Sequence, residues 1–411
     1  MSDLLFPAYQ KFYSALSSLN RFNKENDFFN NISSLDTFFS EFRNITFVLQ
    51  KSLAHTEYLT NYKQCRDKYL SNCQWFVDKR NETIKERPFP LIKDITIDIY
   101  YPNMGFHMVT VRFSIESDTT IENFLDELRQ SLKSINEYEV FFSAKYTFFE
   151  ENKEEDLYDA LMEGIQKMDA FLKALSNEIN EKSELCEQIK AKIEAEHILH
   201  YPKDLFLIND YVYYPQTEDF DRANRISANI GNVFSKQRCP VSGFDRGPLS
   251  SLGDTLFEKF VLLHVAIQTT DLMPTMMLVY EDDTFTLDSY QSSVKTTFYR
   301  KINEVASKIL KEDIKEIYYM ATYVYCDYDI VKEQNLTSKE RIKHAKEEYL
   351  AFMKVDKNLA EEECLISEKI LNDPKSIYQE VKNHSKSLDA GKNNLFPIIE
   401  AFKEKRKNET L

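Results

Sequence analysis

Apolar residues in this chain repeat at two different periods in separate stretches, and a fold of one secondary-structure class cannot satisfy both. Leu5, Tyr9, Phe12, Leu16 and Leu19 recur at steps of three and four, which gathers them on one face of a helix. Residues 94–101 (DITIDIYY) alternate strictly, with Ile95, Ile97 and Ile99 on one side, the period of a half-buried strand. The chain therefore belongs to the α+β class, and the order of the two periods sets its organisation.

Residues 1–90 read as a helical bundle. A second helix carries Leu35, Phe38, Phe39, Phe42, Ile45, Val48 and Leu49 behind the N-cap candidates Ser33 and Ser34. A third is predicted from about Glu57 through Tyr62, Tyr69 and Trp75 to Thr83, with Pro88 and Pro90 ending it. Residues 91–150 read as a hairpin, a helix over 119–134 and a strand over 139–149. Residues 151–200 form a long helix or a helical hairpin, broken near Lys182-Ser183, with Leu157, Leu161, Met168, Leu172, Leu175 and Ile179 as its stripe. That stripe is narrow and the polar face rich in Glu and Lys, so this element is predicted to protrude.

Residues 201–330 read as a second small α/β unit. It has one or two strands over 204–214, helix 254–270, strand 275–281, helix 288–311 and strand 315–325. The last strand–helix–strand order predicts a parallel pair with a right-handed crossover. Residues 331–411 return to helix. The expected architecture is thus a helical bundle, two small mixed α/β units, a long helical insertion and a helical C-terminus.

The 411 residues exceed one ordinary core, and 43% hydrophobic content supplies enough apolar surface for several. A formal charge of −15 sets the surface against broad duplex binding, since an acidic surface repels phosphate. Nucleic acid would have to be held by a local basic patch. The six cysteines are scattered with no CxxC, which predicts free thiols in a reducing compartment. No basic leader followed by an apolar stretch opens the chain, and no apolar run reaches the roughly 20 residues of a membrane helix. A cytoplasmic protein is expected.

Several clusters have the residue types that chemistry needs. Glu196, His197 and His200 stand at helical spacing suited to a divalent metal, but outside any HExxH pattern and without a visible distant ligand. Histidines closing a helix serve more simply as caps. Glu281-Asp282-Asp283 and Asp327/Asp329 each follow a predicted strand. If those strands are parallel neighbours, the carboxylates share one sheet edge, where Mg²⁺ would suit phosphate chemistry. Solvated loop acids are the plainer account. The loop 236–247 is basic but matches no phosphate-cradling motif. No cofactor and no metal is expected.

The most suggestive basic segment is Lys79-Arg80-Asn81-Glu82-Thr83-Ile84-Lys85-Glu86-Arg87, at the end of the predicted third helix. Its plain reading is a set of cations complementing a helix C-terminus. A bundle whose late helix carries Arg and then a polar residue also resembles the HEPN superfamily of prokaryotic RNases and RNA-binding proteins. That family's motif is Arg, four to six residues, then His, the pair facing a 2′-hydroxyl and a scissile phosphate, often across a dimer interface. Arg80-Asn81 matches the start of the motif. Five positions after Arg80 stands Lys85, and none of the seven histidines lies five to seven residues after an arginine. Lysine steadies a phosphate but is a poor base near neutral pH. The resemblance therefore implies an RNA-associated protein of toxin or phage-defence type. It would bind RNA through Arg80, Asn81 and Lys85 with weak or no nuclease activity. The alternative is a non-enzymatic interaction protein that forms a homodimer or holds a partner through helices 154–198 and 337–407.

Overall fold

The computed structural model describes residues 3–22, 28–102, 105, 107–135, 137–180, 183–195, 208–224, 237–238, 253–267, 274–282, 284–387 and 395–410. The fold is α+β, with two antiparallel sheets. One has the strand order β2-β1-β3-β4-β5 and the other β12-β11-β10-β9-β7-β8-β6, the strands being numbered along the chain. The chain divides into two compact units. One comprises residues 1–97, 111–126 and 144–208; the other comprises 98–110, 127–143 and 209–411.

The first unit opens with α1 (Phe6–Leu19), α2 (Phe28–Leu53), α3 (Leu59–Tyr69) and α4 (Gln74–Lys85). The single third helix expected from the sequence is two helices. Between them Leu70 and Cys73 close turns through backbone bonds to Arg66 and Leu70, across the exposed Ser71 and Asn72. Short polar side chains of this kind compete with the helical ladder and favour turns. The bundle is held by phenyl rings. Phe38, Phe39 and Phe42 of α2 meet Trp75 and Phe76 of α4, and Phe39 stacks on Phe89 at 5.3 Å.

After the bundle come β1 (Leu91–Tyr101), β2 (His107–Ser114), α5 (Ile121–Leu132) and β3 (Val140–Glu150), as the alternation predicts. Next are α6 (Leu157–Ile179) and α7 (Glu184–Ala195), a helical hairpin. Asn180 ends α6 in the left-handed region, at φ 49° and ψ 41°, a conformation its short polar side chain tolerates. The described residues of this element form no protrusion. Leu157, Leu161, Met168, Phe171, Leu172, Leu175 and Ile179 are all buried. α6 packs on α3 and α7 on α1, so the narrow stripe faces the bundle. Gly164 lets α6 lie directly on α4, where an added Cβ would stand 2.0 Å from the Phe76 ring.

In the second unit β4 (Asn209–Tyr214), β5 (Asp219–Arg222) and β6 (Gln237–Arg238) precede α8 (Leu256–Ile267). Then follow β7 (Thr275–Tyr280), β8 (Thr284–Ser289), α9 (Thr296–Lys311) and β9 (Ile314–Tyr325). The expected parallel crossover is absent. β8 folds straight back on β7, and β9 pairs with β7 antiparallel, Thr275 opposite Met320 and Val279 opposite Glu316. The alternating Thr284-Phe285-Thr286-Leu287 is a strand too short to be announced by its period, and the helix starts later than predicted.

The C-terminal segment is also corrected. Short helices α10 (Tyr328–Glu333) and α11 (Ser338–Lys343) lead into β10 (Glu347–Asp356) and β11 (Glu361–Ser367), then α12 (Pro374–Lys382), β12 (Ser385–Ser387) and α13 (Phe396–Thr410). The β10–β11 turn is built by the Asp356 carboxylate, which accepts the Asn358 and Ala360 N–H groups. β10 reads as helix from its residues because both its faces are covered, which removes the polar half of the alternation. Leu350 and Phe352 join a core with α8 and α12. Met353 and Val355 join another with α9 and α13. The larger sheet is thus the middle layer of three.

A charged pair lies within this unit. Asp210, 1% exposed, takes Arg300 Nε at 2.9 Å and Nη2 at 3.1 Å, plus hydroxyls from Ser143 at 2.7 Å and Thr297 at 2.8 Å. Burial alone would raise the Asp210 pKa, but the Arg300 charge and these hydrogen bonds hold it below the usual carboxylate value.

This packing has two measurable consequences. Arg300→Met should cost about 3–5 kcal/mol in urea unfolding, because it leaves Asp210 buried without its cation. The depressed carboxylate contributes stability above the ordinary pKa of about 3.9, and that contribution is lost as pH falls through the folded value. The variant should lack this acid-side loss. Gly164→Ala should cost about 1–3 kcal/mol, read in the same way, since α6 must move off Phe76.

Candidate functional site

The basic segment of α4 comes apart once it is folded. Lys79 is buried and ion-paired to Glu82 and Glu150, so it is part of the structure of the unit. Arg87 pairs with Glu82 at 2.7 Å and Glu151 at 3.2 Å. Lys85 is exposed and makes no ion pair among the described residues. Arg80 sits mid-helix, where the macrodipole of the last turn does not reach, so the helix-end reading does not account for it.

Arg80 and Asn81 are joined, Nη1 donating to the Asn81 Oδ1 at 3.2 Å. Lys85 is five positions further on, about 140° round the helix from Arg80, and belongs to another side. Arg80 turns instead toward α2, its guanidinium 5.9 Å from the centre of the Phe47 ring. Arg43, one turn before Phe47, covers the same ring at 4.2 Å and donates to the Thr46 hydroxyl. The Arg43 pKa is lowered, first by burial and then, against a favourable contribution from Tyr62, by the charges of Arg80 and Arg66. Neither Arg43 nor Arg80 has an ion pair among the described residues, and the Arg80 Nε is buried with no hydrogen-bond partner.

The result is an aromatic ring, 39% exposed, with two uncompensated guanidiniums against it and the exposed Ile84 one turn beyond Arg80. An arginine fork without a carboxylate is suited to a planar oxyanion, and an open phenyl ring to a stacked base. Sequence reasoning finds Arg80 and Asn81 but misses Arg43 and Phe47. The signal is present. Phe47 stands off the apolar stripe of its helix, and an arginine precedes it by four residues.

The carboxylates do not meet. Glu281 lies beside the start of β9, its N–H on the Asp313 carbonyl, and pairs with Lys357 at 2.5 Å. Asp327 follows the other end of that strand, 12 residues and roughly 35–40 Å along, and pairs with Lys346 at 2.7 Å. Antiparallel pairing of β7 and β9 is the reason. Asp282 accepts the Thr284 N–H and hydroxyl, and Asp327 accepts the Asp329 N–H, both local turn contacts. Asp283, His197 and His200 lie outside the described residues, as does the 236–247 loop apart from Gln237 and Arg238 of β6. Among the described residues no group of three or more His, Cys, Asp and Glu is placed to hold a metal. The cysteines described are free. No described helix is long and apolar enough to cross a membrane.

Comparison of the chain with family models, curated proteins and solved structures gives no match.

A buried guanidinium nitrogen without a partner costs stability, so Arg80→Met should leave thermal unfolding unchanged or raise stability by about 1 kcal/mol. A larger decrease in stability, by calorimetry, would show that Arg80 serves the fold instead.

Proposed function

We propose that the first unit binds single-stranded RNA, with Arg43 and Arg80 on phosphate and Phe47 against a base. Asn81 orients Arg80, and Lys85 is an outlying phosphate contact. The observation that carries this reading is the pair of unpaired guanidiniums flanking one open aromatic ring on a protein of charge −15. Such a pair is a local exception to an acidic surface, which is the form nucleic-acid contact has to take here. A stacked ring with phosphate-directed cations is tolerant of sequence, so affinity without base specificity is expected.

The HEPN-like resemblance of the bundle is part of the same proposal. It supports a toxin- or defence-type role in which RNA is bound and cleaved slowly or not at all. The position that the family gives to a histidine is Lys85 in this chain, on a different side of α4 from Arg80. A protein partner is the less favoured reading, because α6 and α7 spend their apolar stripes within their own unit.

Fluorescence anisotropy with a short single-stranded RNA at two salt concentrations tests this. Arg43→Ala and Arg80→Ala should each weaken binding by about 1–3 kcal/mol. Each should also flatten the salt dependence by roughly 0.7 for every phosphate no longer neutralised. Phe47→Ala should cost about 1–3 kcal/mol with the slope unchanged. No binding by the unaltered protein at low salt would overturn the RNA reading and leave a protein partner as the alternative.

A further inference from the structure

We infer that the second unit carries a small-molecule site for an aromatic oxyanion, held by Lys295 and Arg341 in a cleft walled by Tyr138 and Tyr299. Lys295 immediately precedes α9, Arg341 lies on α11, and both line the cleft with the two phenols and Glu139. Lys295 is accessible to solvent yet makes no hydrogen bond or ion pair among the described residues. Arg341 gives its Nε to the Leu336 carbonyl at 3.0 Å, and its guanidinium has no ion pair among those residues.

The nearest candidate for a built-in counter-ion is already committed. Glu139 receives the Ser338 N–H at 2.6 Å and the Ser338 hydroxyl at 2.7 Å through one oxygen. Its charge reaches Lys295 without a direct contact. Glu137, the other carboxylate of the cleft, is exposed and solvated. The Lys295 pKa is lowered, by the protein packed around the ammonium first and by the Arg341 charge second. Two like charges are thus brought near each other at a cost that an incoming anion would relieve.

The walls specify the rest of the ligand. Tyr299 is buried, its ring edge-on to Phe141 at 5.0 Å, which fixes it as a rigid surface. Tyr138 is half exposed and free to cover a planar group. A phosphate monoester or a carboxylate attached to an aromatic body matches this combination of two lining cations and phenolic walls. The site rests on different residues from the RNA surface, so the two proposals stand or fall separately.

Calorimetric titration of the full chain with phenyl phosphate, benzoate and inorganic phosphate, with benzyl alcohol as the neutral probe, decides the matter. Phenyl phosphate or benzoate should bind, the tighter of the two naming the headgroup, with inorganic phosphate weaker and benzyl alcohol silent. Lys295→Met removes an ammonium that has no ion pair among the described residues and should keep the wild-type melting temperature while weakening the anion about tenfold or more. Arg341→Met should do the same. If it loosens the 336–341 turn and lowers the melting temperature, Arg341→Lys keeps the charge without the fork and should show an intermediate loss. Absence of binding by all three anions at millimolar concentration, or binding untouched by Lys295→Met, would overturn the site. Equal affinity for inorganic and phenyl phosphate would overturn the part assigned to the tyrosines.

Discussion

Arg300 and Asp210 face each other with almost no access to water, and much of the second unit is arranged so that they can. Separately each would be expelled from such a place, because an unpaired ion in a low-dielectric interior is among the costliest things a fold can contain. Together, with Ser143 and Thr297 filling the remaining acceptor positions, they make a contact that only one register of α9 against β4 satisfies. Apolar packing alone would tolerate a helix displaced by part of a turn; a bidentate ion pair would not. With α9 so fixed, Ile302, Val305 and Ile309 meet the sheet, and Lys295 is delivered at the mouth of its cleft.

The parts of the fold legible in the sequence are those whose residue types still mark the element. α1 keeps an apolar stripe beside exposed positions, and in β1 the residues between the isoleucines are Asp94, Thr96 and Asp98, polar although buried, so both periods survive in the residue order. The run of β9 is covered on both faces and is read from its tyrosines and β-branched residues. Where both faces are lined with apolar residues the period vanishes. Leu350-Ala351-Phe352-Met353 in β10 has apolar residues at every position because α8 and α12 lie over one side and α9 and α13 over the other. Nothing local distinguishes such a run from buried helix. The mistaken crossover has a related cause: Phe285 and Leu287 offer too few alternations to announce β8, and without β8 the direction of β9 inverts. The carboxylates of β7 and β9 then fall on one edge in the residue order when they belong to opposite ends of the sheet.

The candidate surface on the bundle is half legible for a similar reason. Arg80 and Asn81 are neighbours in sequence and remain neighbours in space. Arg43 and Phe47, which complete the candidate surface, are on another helix, and only the packing of α2 on α4 connects them. Lys85 is singled out by its distance along the chain, which on a helix says little about direction. Both sites share a feature that composition hides. In a chain where acids outnumber bases, many of the described cations sit against a carboxylate, as Lys79, Lys301 and Lys382 do. Two cations gathered on one ring or in one cleft without a carboxylate stand out from that background.

Lys79 also bears on how the neighbouring Arg80 acts. Its ammonium is buried between Glu82 of its own helix and Glu150 of β3, so α4 is clamped at the residue next to the proposed phosphate contact. On that fixed backbone the Arg80 side chain, its Nε buried and its Nη1 bonded to Asn81, has fewer rotamers to surrender, so most of the ordering entropy of an encounter falls on the flexible ligand. Such a surface is pre-organised: it would capture and release strands without reshaping itself, and its selectivity would follow how easily a given strand unstacks a base.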